Sequence, residues 1–427
     1  MASKATQAGS ETAGAPGRKP RTRKRFEKKR EDILDAATVL INEHGAKGST
    51  LQAVAGAVGL NTTSVTYYFR RKELLAAAVF ERTIARMAEI AEEAAREPTP
   101  QERVHRFLLR HINLRADVIR GDQLPLATLS DLRTLDDELR EPLQQSYQQV
   151  FRTVRDFFGP VGGEQKPVQT ARAHILLETV FWLPVWISRY PIDEFPRVLR
   201  RLFDILENGI ALPDATWSPI ALPPGADGEK PMEDGDGEAS AASFLRVATR
   251  LINESGYRGA SVVRIVEELQ VTKGSFYHHL DAKDDLVLEC FRRSHRRISN
   301  VQRQAAEAGS TEWEHMETAM AALLDIQFAG NWPLTRTSAL QALPPEVRAD
   351  VVARSDRTAV RFAGLLIEGA AHGTMRLVDP MIASQTIIAM LNSAYDLRKW
   401  ATQQDRDDAI RLYASPLVRG LFADPAI

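Results

Sequence analysis

The segment Ala37-Thr38-Val39-Leu40-Ile41-Asn42-Glu43-His44-Gly45-Ala46-Lys47-Gly48 returns as Ala248-Thr249-Arg250-Leu251-Ile252-Asn253-Glu254-Ser255-Gly256-Tyr257-Arg258-Gly259, a spacing of 211 residues. The spacing holds without a gap through Ser64 and Ser275, Lys72 and Lys283, Leu75 and Leu286, and Phe80 and Phe291. A match of that length, with both glycines kept, marks a duplication and decides the architecture before any local reading. At 427 residues the chain exceeds one ordinary domain. Two copies of one unit account for it.

Within each copy apolar residues recur at three- and four-residue spacing, and no run alternates as a strand does, so the predicted fold class is all-α. Residues 213–239 differ in kind. They are rich in Pro, Gly, Asp and Glu, with Pro223-Pro224-Gly225 and Asp234-Gly235-Asp236-Gly237, and read as a flexible acidic linker. The predicted order is a disordered basic arm (1–23), a first head (24–87), a first body (88–212), the linker (213–239), a second head (240–298) and a second body (299–427).

Charge is the next constraint. The net charge of −1 hides a strongly basic stretch. Arg18, Lys19, Arg21, Arg23, Lys24, Arg25, Lys28, Lys29 and Arg30 crowd together against Glu27 alone, an arrangement suited to neutralising phosphates. The further run Arg292, Arg293, Arg296 and Arg297 reads as a solvated helix face. The single cysteine, Cys290, permits no internal disulfide, and the start of the chain has no apolar secretory core, so a cytoplasmic, nucleoid-associated protein is expected. The greasiest run, His174 to Ile187, is interrupted by Glu178 and Pro184 and is too short for a membrane span.

In the first head Ile33, Leu34, Ala37, Leu40 and Ile41 form one helical stripe that stops at Gly45. Thr50 is placed to cap a helix from about Leu51 to Val58, Gly59 breaks it, and a second short helix runs from about Thr62 to Tyr68. A short helix, a tight turn with glycine and another short helix make a helix-turn-helix pattern, whose second member reads the major groove. The second copy repeats this with Ser261 as cap, Val262 to Leu269 and Lys273 to His279 as helices, and Gln270 in place of Gly59.

Thr50, Thr62, Thr63, Ser64 and Thr66, with Ser261, Thr272, Lys273, Gly274 and Ser275, offer small groups that are candidates to approach base edges or phosphates. Tyr67, Tyr68, Tyr277, His278 and His279 are longer groups suited to phosphate oxygens, although Tyr68 and His279 are equally suited to packing the head. Lys72 and Lys283 open the next helix, whose amide end also favours an anion.

Val271-Thr272-Lys273-Gly274-Ser275-Phe276-Tyr277-His278-His279-Leu280-Asp281-Ala282-Lys283 closely resembles the recognition-helix signature of the TetR/AcrR family, with Leu280 in place of the usual Phe. The first copy, Leu60 to Lys72, fits more loosely. Thr63 stands where Gly is usual and Thr66 where a phosphate-binding Tyr is usual, and Tyr67 is positioned to take over that role. The resemblance implies a tandem of two regulators, each with a DNA-binding head and an effector-binding, dimerising body. It implies double-stranded operator DNA and a small-molecule effector as partners.

In that family the last two long helices pair with a partner's equivalents. Here they are offered twice, at about Val168 to Tyr190 and Asp193 to Ala211, and at about Pro380 to Gln403 and Arg406 to Phe422. An intramolecular pseudo-dimer is therefore expected, with further dimerisation left open. Candidate effector residues are Phe107, His111, Phe181, Trp182 and Trp186 in the first body, and Trp313, Phe328, Trp332, Arg336 and Phe362 in the second, with ordinary core packing as the competing reading.

No phosphate-cradling loop, metal-binding cysteine pair or nucleophile elbow occurs, so no enzyme activity and no cofactor is expected. His174 and Glu178 stand one helical turn apart but do not by themselves make a metal site. The reading is a sequence-specific regulator, a ligand-responsive repressor with two unlike heads. The alternative is a regulator with one working head, the other serving protein interaction.

Overall fold

The computed structural model describes residues 20–160, 162–229, 241–274, 276, 283–330, 332–336, 343 and 345–424. Among them every regular element is helical. The first head is built from α1 (Pro20–Gly48), α2 (Leu51–Ala57) and α3 (Thr62–Tyr68). The first body follows with α4 (Lys72–Ala95), α5 (Pro100–Arg120), a 3-10 turn (Leu129–Thr134), α6 (Asp137–Arg155), α7 (Lys166–Trp186) and α8 (Phe195–Asn208). The second half contains α9 (Ala241–Gly259), α10 (Val262–Glu268), α11 (Lys283–Ala308), α12 (Glu312–Ala329), α13 (Pro345–His372), α14 (Pro380–Ser393), α15 (Arg398–Ala401) and α16 (Arg406–Val418).

The duplication persists in the caps. Helix α5 starts with a capping box in which Thr99 and Glu102 satisfy each other's backbone N–H, and α12 starts with the same box from Thr311 and Glu314. Both end on a left-handed glycine, Gly121 and Gly330. In α1 and α9 the backbone breaks at equivalent glycines, Gly45 and Gly256, each at φ 72°.

Two sequence expectations are corrected here. The basic arm drawn to residue 23 as disordered is helical from Pro20 onward, because Phe26 anchors α1 by stacking on Tyr68 with ring centroids 4.7 Å apart. The Pro/Gly stretch drawn as a flexible linker is, over residues 213–229, packed on the second half. Trp313 Nε1 donates to the Thr216 carbonyl at 2.9 Å, and the Ser218 and Ile220 N–H groups donate to Glu317 and Thr318 at 2.8 and 3.0 Å. Asp227 pairs with Arg297, and Glu229 with Arg293. A segment that cannot build its own core can still be held by another's surface.

The two bodies meet along their last long helices, with α7 packed on α14 and α16, and α8 packed on α14. At the far end the chain crosses itself symmetrically. Ile210 N–H donates to the Leu417 carbonyl at 2.9 Å, and Leu421 N–H donates to the Leu206 carbonyl at 2.7 Å. The two bonds are related by the same spacing of 211 residues that relates the heads. Gly209 and Gly420, at φ 71° and 100°, make the crossing possible: a Cβ at Gly209 would strike the Val418 carbonyl, and one at Gly420 the Glu207 carbonyl. Gly209→Ala and Gly420→Ala are each expected to lower urea-unfolding stability by about 2 kcal/mol or more, through a left-handed backbone and a blocked crossing. Gly56→Ala, with open space and an ordinary φ, should change it by less than about 1 kcal/mol in either direction.

Candidate nucleic-acid interface and its joint to the bodies

In the first head Thr50 accepts from Ala53 N–H at 3.1 Å and starts α2, which buries Val54 and Ala55. Gly59 turns at φ 63°, and Leu60 N–H returns to the Ala55 carbonyl at 2.9 Å. Asn61, not singled out from sequence, caps α3 by accepting from Ser64 N–H at 2.7 Å. Val65 and Phe69 are buried, so α3 is pinned by one face and presents the other. Thr62, Thr63 and Tyr67 are exposed, and Tyr67 is 76% exposed despite its ring. Ser64 is half-buried, and Thr66 is half-buried with its hydroxyl bonded to the Thr62 carbonyl at 2.8 Å. Tyr68 packs under the head beside Phe26.

Lys72 does not stand free at a helix start. Its ammonium donates to the Lys47 carbonyl at 3.1 Å, tying α4 to the end of α1. Exposed Lys24, Arg25 and Lys28 lie on the helical turns flanking Phe26, whose ring also meets Tyr67 edge-on at 6.1 Å. Exposed Arg70 and Arg71 follow α3 directly. Exposed cations thus lie on both sides of the uncharged α3, on α1 around Phe26 and at Arg70 and Arg71, an arrangement of charge that suits a phosphate backbone.

The second head is laid out alike as far as it is described. Ser261 accepts from Arg264 N–H at 3.2 Å, and Val271 N–H returns to the Val266 carbonyl at 2.9 Å. Gln270 sits at φ 56°, the left-handed conformation that Gly59 adopts in the first copy. Thr272, Lys273 and Gly274 are exposed, and Phe276 is buried edge-on against Phe244 at 5.6 Å. Ser275, Tyr277, His278 and His279 lie outside the described residues, as does the side chain of Lys283.

Each head is joined to its body by the same device. The Asn42 side chain spans two peptide groups, donating to the Leu126 carbonyl at 3.0 Å and accepting from Thr128 N–H at 2.9 Å. Asn253 does the same with the Leu334 carbonyl at 2.8 Å and Arg336 N–H at 2.9 Å. The intervening N–H groups, of Ala127 and Thr335, donate to Thr83 and Ser294 at 3.1 and 2.9 Å. The sequence carries a signal for this latch that went unread: Pro125-Leu126 and Pro333-Leu334 repeat at a spacing of 208.

The candidate effector residues do not converge. Phe107 and His111 are neighbours, with ring centroids 4.6 Å apart, and Phe157 lies 5.7 Å from Phe107. His111 is buried with its Nε2 unpartnered, and burial pushes its pKa down to about 4. Trp182 instead faces the other half, donating to Gln385 at 2.9 Å, while Trp186 meets Tyr190 edge-on and Phe181 is partly exposed. Phe328 packs on Tyr413 and Trp400, and Phe362 is fully buried in α13. Trp332 lines no shared site with these; its ring is clasped by Arg246 at 4.0 Å and Arg293 at 4.1 Å. Arg297 is consequently buried and Arg293 half-buried, and only Arg296 of the predicted basic face is exposed, because the 213–229 segment supplies carboxylates to the first two.

Arg336 pairs with Asp396, which also lies 3.3 Å from Arg133. Ligand atoms of His174, Glu178 and Asp396 come within 4.8 Å of one another. Burial pushes His174 down to about 4 and Glu178 up to about 7. With Asp396 already shared by two guanidiniums, a divalent cation there would meet two positive charges at close range.

Sequence comparisons bear on these heads directly. The family described as "Bacterial regulatory proteins, tetR family" matches residues 33–79 and again 244–290, and "Tetracyclin repressor-like, C-terminal domain" matches 333–400. The chain belongs to the TetR family. It carries two of that family's heads in one polypeptide. It is 25% identical over 187 residues to the HTH-type transcriptional repressor AcnR of Corynebacterium diphtheriae, covering 43% of this chain and 91% of the relative. It is 28% identical over 154 residues to the HTH-type transcriptional repressor DhaR of a Mycobacterium species, covering 33% of this chain and 76% of that one. Among solved structures, apo AibR matches at 20% identity with TM-score 0.34, covering 40% of this chain and 93% of that chain. A Rhodococcus tetR-family protein matches at 18% identity with TM-score 0.35, covering 43% and 98%. No helix of the described residues is long and apolar enough to cross a membrane.

The buried histidines of this TetR-family chain predict its response to acid. A His held neutral in the fold but titrating near its ordinary value when unfolded makes unfolding take up a proton, so stability is lost as pH falls from about 6.5 to about 4. Glu178, raised by burial, acts in the opposite sense between about 7 and its ordinary value, gaining stability as pH falls. His111→Gln isolates the first effect. The loss of unfolding free energy between pH 7.5 and 5, measured by urea titration, should shrink by about 2 kcal/mol relative to the parent chain.

Proposed function

We propose that the chain is a sequence-specific, DNA-binding transcriptional repressor that works as a pseudo-dimer within one polypeptide, its two unlike heads reading two unlike half-sites. The observation that carries this reading is the reciprocal crossing of Ile210 with Leu417 and Leu421 with Leu206, related by the spacing that relates the heads. Homologous last helices packed together in one chain leave each body's broad apolar stripe covered without a second molecule. The repressor sense is drawn from the relatives AcnR and DhaR.

In this reading Thr62, Thr63, Ser64 and Tyr67 meet DNA from the first head, with Thr66, Tyr68 and Lys72 shaping it. Thr272, Lys273 and Gly274 lead from the second, with Ser275, Tyr277, His278, His279 and Lys283 following in sequence. Lys24, Arg25 and Lys28 add phosphate contacts beside the first recognition helix. The best candidate seat for a small-molecule effector is the first body beside Phe107 and His111, where a buried ring nitrogen has no partner.

The expected species on DNA is one chain of 47.6 kDa per operator, measured by sedimentation at fixed salt. Selection from random DNA should return two dissimilar half-sites about 34–36 Å apart. Tyr67→Ala and Lys273→Ala should each weaken binding about tenfold at fixed salt, and the effects should add in the double variant. An effect from only one of the two would instead favour a single working head. Recovery of perfect palindromes alone, or two chains in the smallest DNA-bound species, would overturn the pseudo-dimer.

A further inference from the structure

The six-residue 3-10 turn Leu129–Thr134 of the first body touches both heads. On one side the buried Asp131 carboxylate accepts from Ala46 N–H at 2.7 Å, just past the Gly45 break in α1. On the other, two residues along, Arg133 Nη1 donates to the Asn253 carbonyl at 2.5 Å, three residues before the Gly256 break in α9. The other Arg133 amine lies 3.3 Å from Asp396, which also takes the Arg336 guanidinium, while Arg336 N–H holds the Asn253 side chain. Asn253 is therefore gripped through its side chain by its own body and through its main chain by the other. A side chain that fixes one peptide carbonyl, backed by a shared carboxylate, leaves little freedom for the helix end that it holds.

We infer that this turn is the spacer that sets the separation of the two heads, so that the first body governs both of them. The inference rests on the DNA-binding reading for its purpose, but the bridge itself is a matter of contacts. The second body's own reach to the first head is of another kind, Arg348 of α13 donating to the Glu43 carbonyl of α1 at 3.3 Å. The latch places residues 334–336 against 126–128, so the positions matching Asp131 and Arg133 are Ala339 and Gln341, which carry neither a carboxylate nor a guanidinium. A displacement of the first body's turn acts on both heads at once, through Asp131 on one and Arg133 on the other.

The test copies the second body's residues into the first turn of the full chain. Arg133→Gln should speed amide exchange over residues 250–256 about tenfold and leave residues 42–48 unchanged; Asp131→Ala should do the reverse. Operators selected by the parent chain are then rebuilt with the half-sites moved closer or farther by one and two base pairs. Binding of Arg133→Gln at the original spacing should fall about tenfold, with the spacing preference flattened, while affinity for an isolated half-site stays within about twofold. Arg133→Lys, which keeps a charge for Asp396 but cannot fork between two acceptors, should fall between the two. Unchanged exchange in α9, or a spacing profile identical to the parent's, overturns the inference. If the parent chain binds no DNA, the functional reading fails, and the two exchange patterns alone decide whether the turn bridges the heads. If Asp131→Ala does not fold, the Arg133 variants carry the test, since Arg336 still neutralises Asp396.

Discussion

Two helix ends passing close enough for backbone to bond backbone hold this molecule in register. Where α8 and α16 finish, Gly209 and Gly420 let each strand of chain reach the other's last carbonyls. The wide apolar faces of α7 and α14 would bury themselves against many partners, since hydrophobic attraction is not directional. The crossing supplies what burial lacks, a fixed alignment with backbone bonds given in both directions. From that alignment follow the contact of Trp182 with Gln385, the placement of His174 beside Tyr413, and the meeting of Arg133 and Arg336 on Asp396.

The joint between head and body shows a second economy of means. Asparagine carries a donor and an acceptor on one planar group, so a single residue spans two peptide units of the facing loop. Aspartate would lack the donor and leucine both. With Thr83 or Ser294 taking the N–H between, two consecutive peptide groups are held through three of their polar groups by two side chains. A head latched in this way is tied to its loop by backbone polar groups and not by apolar contact alone.

Much of this was legible in the sequence, and the parts that were not share a cause. The short head helices starting at Leu51, Thr62 and Val262 were placed to within a residue because their boundaries are written in local chemistry: Thr50 and Ser261 cap, Gly45 and Gly59 break. The two pairs of final helices were likewise visible as apolar stripes. What escaped were contacts between segments far apart in the chain. An aromatic such as Trp332 looks the same whether its partner is a ligand or a pair of arginines. Arg293 and Arg297 read as a solvated face until the acidic segment that covers them is in place. That segment read as a tether because its composition reports only that it cannot bury a core of its own. The latch loops escaped because their spacing of 208 breaks step with the 211 of the heads, and they have no periodicity to betray them.

The ordered connection along residues 213–229 has a consequence for how such a molecule can change over time. In a dimer of two identical chains every substitution appears twice, and a change good for one half-site is forced on the other. Here a substitution appears once. Thr66 and Gln270, each a departure in a single copy, illustrate the freedom this gives. Dilution matters little as well, since the two halves cannot drift apart. The contact between the halves is therefore set by the length of the connection and not by the concentration of the protein.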